Sequence, residues 1–213
     1  MDKQEVIRFF DCLAPSWDAG STPDEAKLAV ILDHAGIQAG LSVLDVACGT
    51  GILFPYYLER GVRRIIGVDI APGMIQQARL KHQDPRITLI CGDIETLSWS
   101  EQFDCCMVYS AFPHFEDPAR LITVLAQTVA PGGRLTVAHC ESLEQINRRH
   151  IHHAQTVSTL LLPAEGLAAL FGLFFEVDSI VSTEGMYVVS GIKKPGDPCM
   201  GHRVASSFAG SLV

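Results

Sequence analysis

Short apolar runs alternate with helical segments along the first two thirds of the chain, and this alternation constrains the fold more than any other feature. The apolar runs lie at residues 42–47, 64–69, 87–91, 103–109 and 133–138. Helical patterns stand between them at residues 52–60, 72–82 and 118–129. Strands separated by helices form βαβ units, whose parallel sheet is covered on both faces. We therefore predict an α/β fold.

The pattern changes after residue 140. Residues 141–159 contain few helix breakers and predict one long helix. A shorter helix is expected over residues 163–171, and the runs at 174–181 and 186–192 predict an antiparallel hairpin that closes the sheet. The Pro-Gly-Gly sequence at 131–133 indicates a turn before the fifth strand.

Length and composition favour one globular domain. The chain has 213 residues, of which 48 % are hydrophobic and 19 % are charged, so a single core is expected. We predict one domain over residues 1–194, which begins with helices at 1–38. Residues 195–213 lack a period and are expected to form a loose tail.

The net charge and the cysteine pattern limit which binding partners and which cellular compartment are expected. The formal net charge of −8 disfavours nucleic acid or an anionic membrane as the main partner. The seven cysteines include no C-x-x-C pair, and no apolar run reaches the roughly 18 residues of a membrane span. We expect a cytoplasmic protein that acts on a small molecule, with its oligomeric state open.

The turn after the first strand carries the most informative motif, Val-Leu-Asp-Val-Ala-Cys-Gly-Thr-Gly at 43–51. A dinucleotide-binding fingerprint needs three glycines, but Ala47 and Phe54 stand on either side of the glycine pair. The motif instead resembles the acid-x-small-x-Gly-x-Gly sequence of class I S-adenosylmethionine-dependent methyltransferases. The residues that carry the resemblance, and that it implies bind the cofactor, are Asp45, Ala47, Gly49 and Gly51.

Later positions fit the same resemblance in order along the chain. It implies that Asp69, at the end of the second strand, holds the ribose hydroxyls, since a carboxylate can accept two hydrogen bonds. It implies that Asp93 faces the adenine amino group. The other cofactor contacts that it implies are Ile70, Met74, Ile94 and Tyr109. It also implies a Rossmann-like sheet of seven mostly parallel strands with a C-terminal antiparallel hairpin.

The opening segment Phe9–Asp18 resembles that of ubiquinone- and menaquinone-biosynthesis methyltransferases. The resemblance implies that residues 1–38 form a helical lid over the cofactor, with Trp17 near the substrate pocket. A lid suits methyl transfer, because a direct displacement depends on alignment and on exclusion of water. The alternative is an amphipathic helix whose aromatic side chains only pack.

Four histidines are candidates for the acceptor side of the site. His114 follows the fourth strand, His139 ends the fifth, and His150 and His153 share one face of the next helix. One interpretation has His114, His139 and His150 bind Zn²⁺ or Fe²⁺, which would activate a nucleophile. A second makes a histidine the general base, and a third leaves them as polar pocket or surface residues. The expected catalytic residues are His114, His139 and Tyr109.

Together these observations predict an S-adenosylmethionine-dependent methyltransferase with a small-molecule acceptor. Two other classes stay open. One is a nicotinamide-dependent oxidoreductase, which the incomplete glycine triplet disfavours. The other is a non-catalytic partner subunit that binds S-adenosylmethionine. The acceptor atom, whether carbon, nitrogen, oxygen or sulfur, is left open by the sequence.

Overall fold

The computed structural model describes residues 1–19 and 23–195, apart from the side chains of residues 152 and 153. Its strands are β1 (Ser42–Val46), β2 (Arg64–Asp69), β3 (Ile87–Cys91), β4 (Phe103–Tyr109), β5 (Val129–His139), β6 (Phe175–Ser182) and β7 (Tyr187–Lys193). Its α-helices are α1 (Lys3–Leu13), α2 (Glu25–His34), α3 (Phe54–Glu59), α4 (Pro72–Lys81), α5 (Pro118–Thr128), α6 (Leu143–His153) and α7 (Ala164–Phe171).

The seven strands form one sheet in the order β3-β2-β1-β4-β5-β7-β6. Strands β1 to β5 pair in parallel, whereas β7 is antiparallel to both β5 and β6. This confirms the predicted α/β class, the mostly parallel sheet and the C-terminal hairpin. The strand order reverses at β1, which lies between β2 and β4, and ligands of open α/β sheets bind beyond the carboxyl ends of the strands at such a point.

Apolar side chains alternate between the two faces of the sheet, so each face has its own core. Leu44 points to one face, where it belongs to the same cluster as Leu121 of α5 and Phe171 of α7. The adjacent Val43 points to the other face, which is covered by Leu28 of α2 and Tyr57 of α3. Helices on both faces hold the strand ends, and hence the loops that follow them, in fixed positions.

The N-terminal segment divides into two parts with different positions. Helix α1 lies outside the main core, with Val6 against Ala154 and Val157. Helix α2 is part of the core, because Leu28 and Ile31 are fully buried there. Helix α2 therefore supports the sheet, and the lid role expected for residues 1–38 stays a prediction.

Two local predictions differ from the structure. The Pro-Gly-Gly sequence lies inside β5, where the pairing with β4 shifts register between Phe103 and Cys105 and Gly132 adopts a φ of 75°. Helix α6 ends at His153 instead of continuing to residue 159. It ends there because tertiary hydrogen bonds take the following backbone, with the Thr159 N–H donating to the Pro113 carbonyl at 2.7 Å.

Residues 196–213, which make up nearly all of the predicted tail, lie outside the described residues. Within residues 1–19 and 23–195, no helix has the length and apolar character needed to cross a membrane.

Candidate active site

One cavity of about 1020 Å³ lies beyond the carboxyl ends of the central strands. Its floor includes Gly49 after β1, Asp69 at the end of β2 and Tyr109 at the end of β4. Helix α1 covers it with Phe10, and His114 forms part of the far wall. The cavity therefore stands where the reversal in strand order places a ligand site.

The glycine turn after β1 depends on backbone conformations that favour glycine. Gly49 and Gly51 have φ values of 56° and 83°, and Ala47 also has a positive φ of 53°. A Cβ on Gly51 would lie 2.5 Å from the Phe54 ring. Gly51 is thus required for packing against α3 and does not line the cavity, whereas Ala47 and Gly49 do.

Asp69 connects two loops of the cavity. Its Oδ2 accepts a hydrogen bond from the Gly49 N–H at 2.9 Å, and its Oδ1 accepts one from the Ala71 N–H at 2.9 Å. Burial raises the pKa of Asp69 to about 6, although these two hydrogen bonds oppose the shift. Each carboxylate oxygen retains a second lone pair, so the group can also accept hydrogen bonds from a diol in the cavity, as the ribose of the expected cofactor requires.

Asp45 lies behind the glycine turn and not on the cavity wall. It sits within β1 between Gly67 and Met107 of the neighbouring strands, and it is almost completely buried. Burial, with the Asp69 charge nearby, raises the pKa of Asp45 to about 8. Direct contact of Asp45 with a cofactor stays a prediction; its position supports the turn from beneath.

Asp93 and the apolar residues around it form one end of the cavity. Asp93 accepts a hydrogen bond from the Glu95 N–H at 3.0 Å on Oδ1, and its Oδ2 lies 2.5 Å from Lys3 Nζ of α1. Ile70, Met74 and Ile94 line the cavity as predicted. Carboxylate and apolar walls together suit a planar heterocycle that carries an amino group, such as adenine.

The opposite wall contains His114 and His150. The Nδ1 atom of His114 lies 2.8 Å from the Val157 carbonyl oxygen, and its ring packs edge-on against Phe10 and His150, at centroid distances of 4.9 and 5.1 Å. His150 Nδ1 is buried without a hydrogen-bond partner among the described residues. Burial lowers the pKa of His114 below its ordinary value and that of His150 to about 4, so both rings are neutral at pH 7.

The remaining predicted residues occupy different positions. His139 is fully buried behind the wall, with its ring 5.9 Å from that of Tyr187, and it does not line the cavity. Burial lowers the pKa of His139 to about 3. Trp17 lines the cavity, while the side chain of His153 lies outside the described residues.

Tyr109 lines the cavity and donates its hydroxyl hydrogen to Cys140 Sγ at 3.1 Å. Burial and this hydrogen bond raise the pKa of Tyr109 well above its ordinary value. Its hydroxyl therefore stays protonated at pH 7, and the catalytic role expected for Tyr109 stays a prediction.

The described residues do not form the metal site that was one interpretation of the histidines. Within residues 1–19 and 23–195, no group of three or more His, Cys, Asp or Glu side chains is arranged to hold a metal ion. His139 lies behind the wall, and His114 directs Nδ1 at a backbone carbonyl. These residues therefore do not fit a shared metal ion.

Acidic side chains outnumber basic ones on the cavity wall. The carboxyl groups among its described lining residues are Asp24, Asp69, Asp93, Glu95, Glu116, Asp117 and Glu141. The basic side chains there are Lys3, Arg120 and Arg149. This excess favours a ligand that carries positive charge and opposes a polyanion.

Comparison with known proteins identifies the central part of the chain. Residues 44–137, which hold the glycine turn, Asp69, Asp93 and Tyr109, match the family described as "Methyltransferase domain". Residues 44–137 form a methyltransferase domain. This confirms the family that the ordered motifs indicated.

Relatives of the methyltransferase domain include two curated O-methyltransferases. The malonyl-[acyl-carrier protein] O-methyltransferase of Acetivibrio thermocellus is 30 % identical over 138 residues, covering 63 % of this chain and 49 % of that protein. The ubiquinone biosynthesis O-methyltransferase of Acinetobacter baylyi is 31 % identical over 146 residues, covering 63 % and 61 %. The chain thus spans about half to three fifths of the length of these relatives.

A solved structure supports the fold of the methyltransferase domain. The DhpI-SAH complex superposes with a TM-score of 0.71 at 20 % identity, covering 91 % of this chain and 98 % of that one. At this identity the likeness concerns the fold alone.

The structure also adds residues to the methyltransferase site that sequence reasoning missed. Lys3 and Phe10 of α1 and Cys140 after β5 line the cavity, and Arg149 there forms an ion pair with Glu141. Phe10 lies within the segment Phe9–Asp18, whose resemblance implied a lid over the cofactor. No local motif singled out the other three residues.

Proposed function

We propose that this chain transfers the methyl group of S-adenosylmethionine to a hydroxyl group of a neutral small molecule. The proposal rests on one observation: a single cavity is lined both by the residues expected to bind the cofactor and by two histidine rings. One wall has the Gly49 turn, Asp69 and Asp93, and the other has the neutral rings of His114 and His150. A volume of about 1020 Å³ leaves space for an acceptor beside the cofactor.

The charges of the cavity support this cofactor over a nicotinamide dinucleotide. S-adenosylmethionine carries a positively charged sulfur, whereas a dinucleotide carries a pyrophosphate. The excess of carboxyl groups on the wall attracts the first and repels the second. The glycine turn also lacks the third glycine that close approach of a pyrophosphate requires.

S-adenosylmethionine, when bound, supplies an activated methyl group, so the protein has to align the acceptor, exclude water and receive a proton. Helix α1 lines the cavity with Val6, Phe9 and Phe10, whose apolar side chains favour exclusion of water. His114 donates through Nδ1 to the Val157 carbonyl, which leaves the lone pair on Nε2. We assign that atom as the base that accepts the acceptor's hydroxyl proton as the new oxygen–carbon bond forms, while the methyl–sulfur bond would break and S-adenosylhomocysteine would leave.

Three further observations bear on the acceptor and the compartment. Both curated relatives are named O-methyltransferases, which supports oxygen as the acceptor atom here. The negative balance of the wall favours a neutral acceptor over an acidic one. The described cysteines, of which Cys48, Cys105 and Cys106 are buried, are all free, and this supports a reducing compartment such as the cytoplasm.

Cofactor identity is tested by calorimetry with S-adenosylmethionine, S-adenosylhomocysteine and NADH. We expect both adenosyl compounds to bind and NADH not to bind. Binding of NADH alone would overturn the proposal in favour of an oxidoreductase.

Catalysis is tested by transfer of a tritiated methyl group to a metabolite extract and to a panel of neutral phenols and alcohols. We expect a labelled product, and we expect His114→Gln to reduce its rate by roughly 10²–10⁴-fold, the usual contribution of a general base. His34→Gln is the matched control, because His34 lies away from the cavity near Ser179. Cofactor binding with no transfer to any acceptor would instead favour a non-catalytic partner subunit.

A further inference from the structure

Helix α1 is attached to the cofactor end of the cavity at two places. Near its start, Lys3 Nζ lies 2.5 Å from Asp93 Oδ2 and 2.6 Å from Glu95 Oε2. Near its end, Asp11 Oδ1 accepts a hydrogen bond from the Gly73 N–H at 2.6 Å. The two attachments are eight residues apart on one helix, and each reaches a different loop of the site.

The first attachment is at the end of the cavity assigned to adenine. Glu95 is held from both sides, by Lys3 of α1 and by Arg120 of α5 at 3.2 Å. Its side chain is only 9 % exposed, so this ion network is partly shielded from solvent. Lys3 therefore fixes the position of Asp93 through an ion-pair network that also includes α5, one of the helices that cover the sheet.

The second attachment is at the ribose end. Helix α4 begins at Pro72 after Ala71, which has no side chain that can cap the helix. Asp11 supplies the missing acceptor from α1. A Cβ on Gly73 would lie 2.9 Å from Asp11 Oδ1, so the close approach requires glycine. The same loop presents the Ala71 N–H to Asp69.

Between these attachments, α1 presents aromatic side chains to the acceptor end. Phe9 and Phe10 line the cavity, and Phe10 contacts the ring of His114. The acceptor wall is thus complete only while α1 is in place.

We propose that Lys3 and Asp11 are positioning residues that hold α1 onto the two adenosine-binding loops, so that cofactor binding orders the α1 part of the acceptor site. This rests on the proposed function, because it takes the two loops as the adenosine site. Cofactor bound to Asp69 and Asp93 immobilises the partners of Asp11 and Lys3. Helix α1 then loses less conformational entropy when it packs over the cavity. Cofactor binding and the packing of α1 therefore favour each other.

The test is hydrogen exchange of the amides of residues 3–13, measured by mass spectrometry with and without saturating S-adenosylhomocysteine. We expect the compound to slow exchange of α1 in the wild-type protein. In Lys3→Met and Asp11→Ala this ligand-dependent slowing should fall by about threefold to fivefold, as expected for loss of an ion pair or of a helix cap. Lys3→Arg and Asp11→Asn should restore most of it.

Arg8→Met is the matched control, because Arg8 lies exposed on the same helix and forms no ion pair among the described residues. A merely structural role for Lys3 or Asp11 would change exchange of α1 equally with and without ligand. Binding of S-adenosylhomocysteine without slower exchange in α1, or unchanged slowing in both variants, would overturn this proposal alone. Failure of the wild-type protein to bind the compound would overturn the proposed function, and this proposal with it.

Discussion

The Nδ1 atom of His114 lies 2.8 Å from the carbonyl oxygen of Val157. A carbonyl only accepts hydrogen bonds, so Nδ1 must carry the proton when the ring is neutral, and Nε2 must carry the lone pair. The loop after α6 therefore selects the tautomer of a residue that follows β4. This pairing and the hydrogen bond from the Thr159 N–H to the Pro113 carbonyl together hold residues 154–159 away from the helical path that their sequence favours.

The first prediction concerns that tautomer. In nitrogen-15 NMR spectra of protein labelled at histidine, His114 should be neutral at pH 7 with the proton on Nδ1, because burial lowers its pKa below the ordinary value. His114→Gln assigns the signal. A spectrum that shows the proton on Nε2, or a charged ring at pH 7, would contradict the assignment of Nε2 as the base.

Asp69 should dominate cofactor affinity. Asp69→Ala removes the carboxylate that connects Gly49 and Ala71 and that faces the cavity. We expect binding of S-adenosylhomocysteine to weaken by about 1–3 kcal/mol, the cost of leaving hydrogen bonds to a charged group unmade. Calorimetry measures the change, and Asp33→Ala, on the distant surface beside Arg60, is the control. Equal affinities for wild type and Asp69→Ala would remove Asp69 from the cofactor site.

Gly73 should not tolerate a methyl group, although it lies in a helix where alanine is normally favoured. In Gly73→Ala the new Cβ would meet Asp11 Oδ1 and Ala14 Cβ, at 2.9 and 3.2 Å. We expect a loss of about 0.5–2 kcal/mol in the free energy of unfolding, comparable to loss of a helix cap, measured by urea denaturation. Gly166→Ala in α7 has open space around it, and should be neutral or stabilising by up to about 1 kcal/mol.

Asp45 should make the protein less stable as the pH rises. Its pKa is about 8 in the folded chain and near 3.8 when unfolded, so between these values the folded state binds the additional proton. The free energy of unfolding then falls with increasing pH, by up to about 1.4 kcal/mol per pH unit. Asp69 adds to the effect up to about pH 6.

Urea denaturation from pH 4 to pH 8 measures this dependence. Asp45→Asn cannot ionise and should flatten the slope. Asp84→Asn should leave the slope above pH 5 unchanged, because the pKa of Asp84, about 2 beside the Arg86 side chain and 3.8 when unfolded, lies below that range in both states. A slope that is the same in wild type and Asp45→Asn would show that Asp45 is ionised in the folded protein.

His139 should have the opposite effect on the acid side. Its pKa falls from 6.5 to about 3 on folding, so between these values the unfolded chain binds the additional proton and stability is lost as the pH falls. His139→Leu should reduce this loss by up to about 1.4 kcal/mol per pH unit. His34→Leu, at the partly exposed end of α2, is the control. Acid unfolding that is identical in wild type and His139→Leu would contradict the buried neutral ring.

Much of the fold could be predicted because continuous apolar runs define buried parallel strands. Strands β2, β3 and β4 have the predicted bounds for this reason. The positions of Asp69, Asp93 and Tyr109 at the cavity could also be predicted from the sequence, since residues at the carboxyl ends of parallel strands lie at one edge of the sheet. The burial of His139 away from the cavity could not be predicted in this way. His139 is the last residue of β5, and its surroundings depend on how β5 pairs with β7.

The sequence by itself determined the class of sheet and the family to which the central residues belong. These follow from local periodicity and from motifs within a few residues. Tertiary structure alone decided that Asp11 caps a helix 62 residues away, that Lys3 pairs with Asp93, and that the loop at Val157 orients His114. Such contacts join segments far apart in the chain, and no local pattern encodes a hydrogen bond whose two partners meet only after the core has formed.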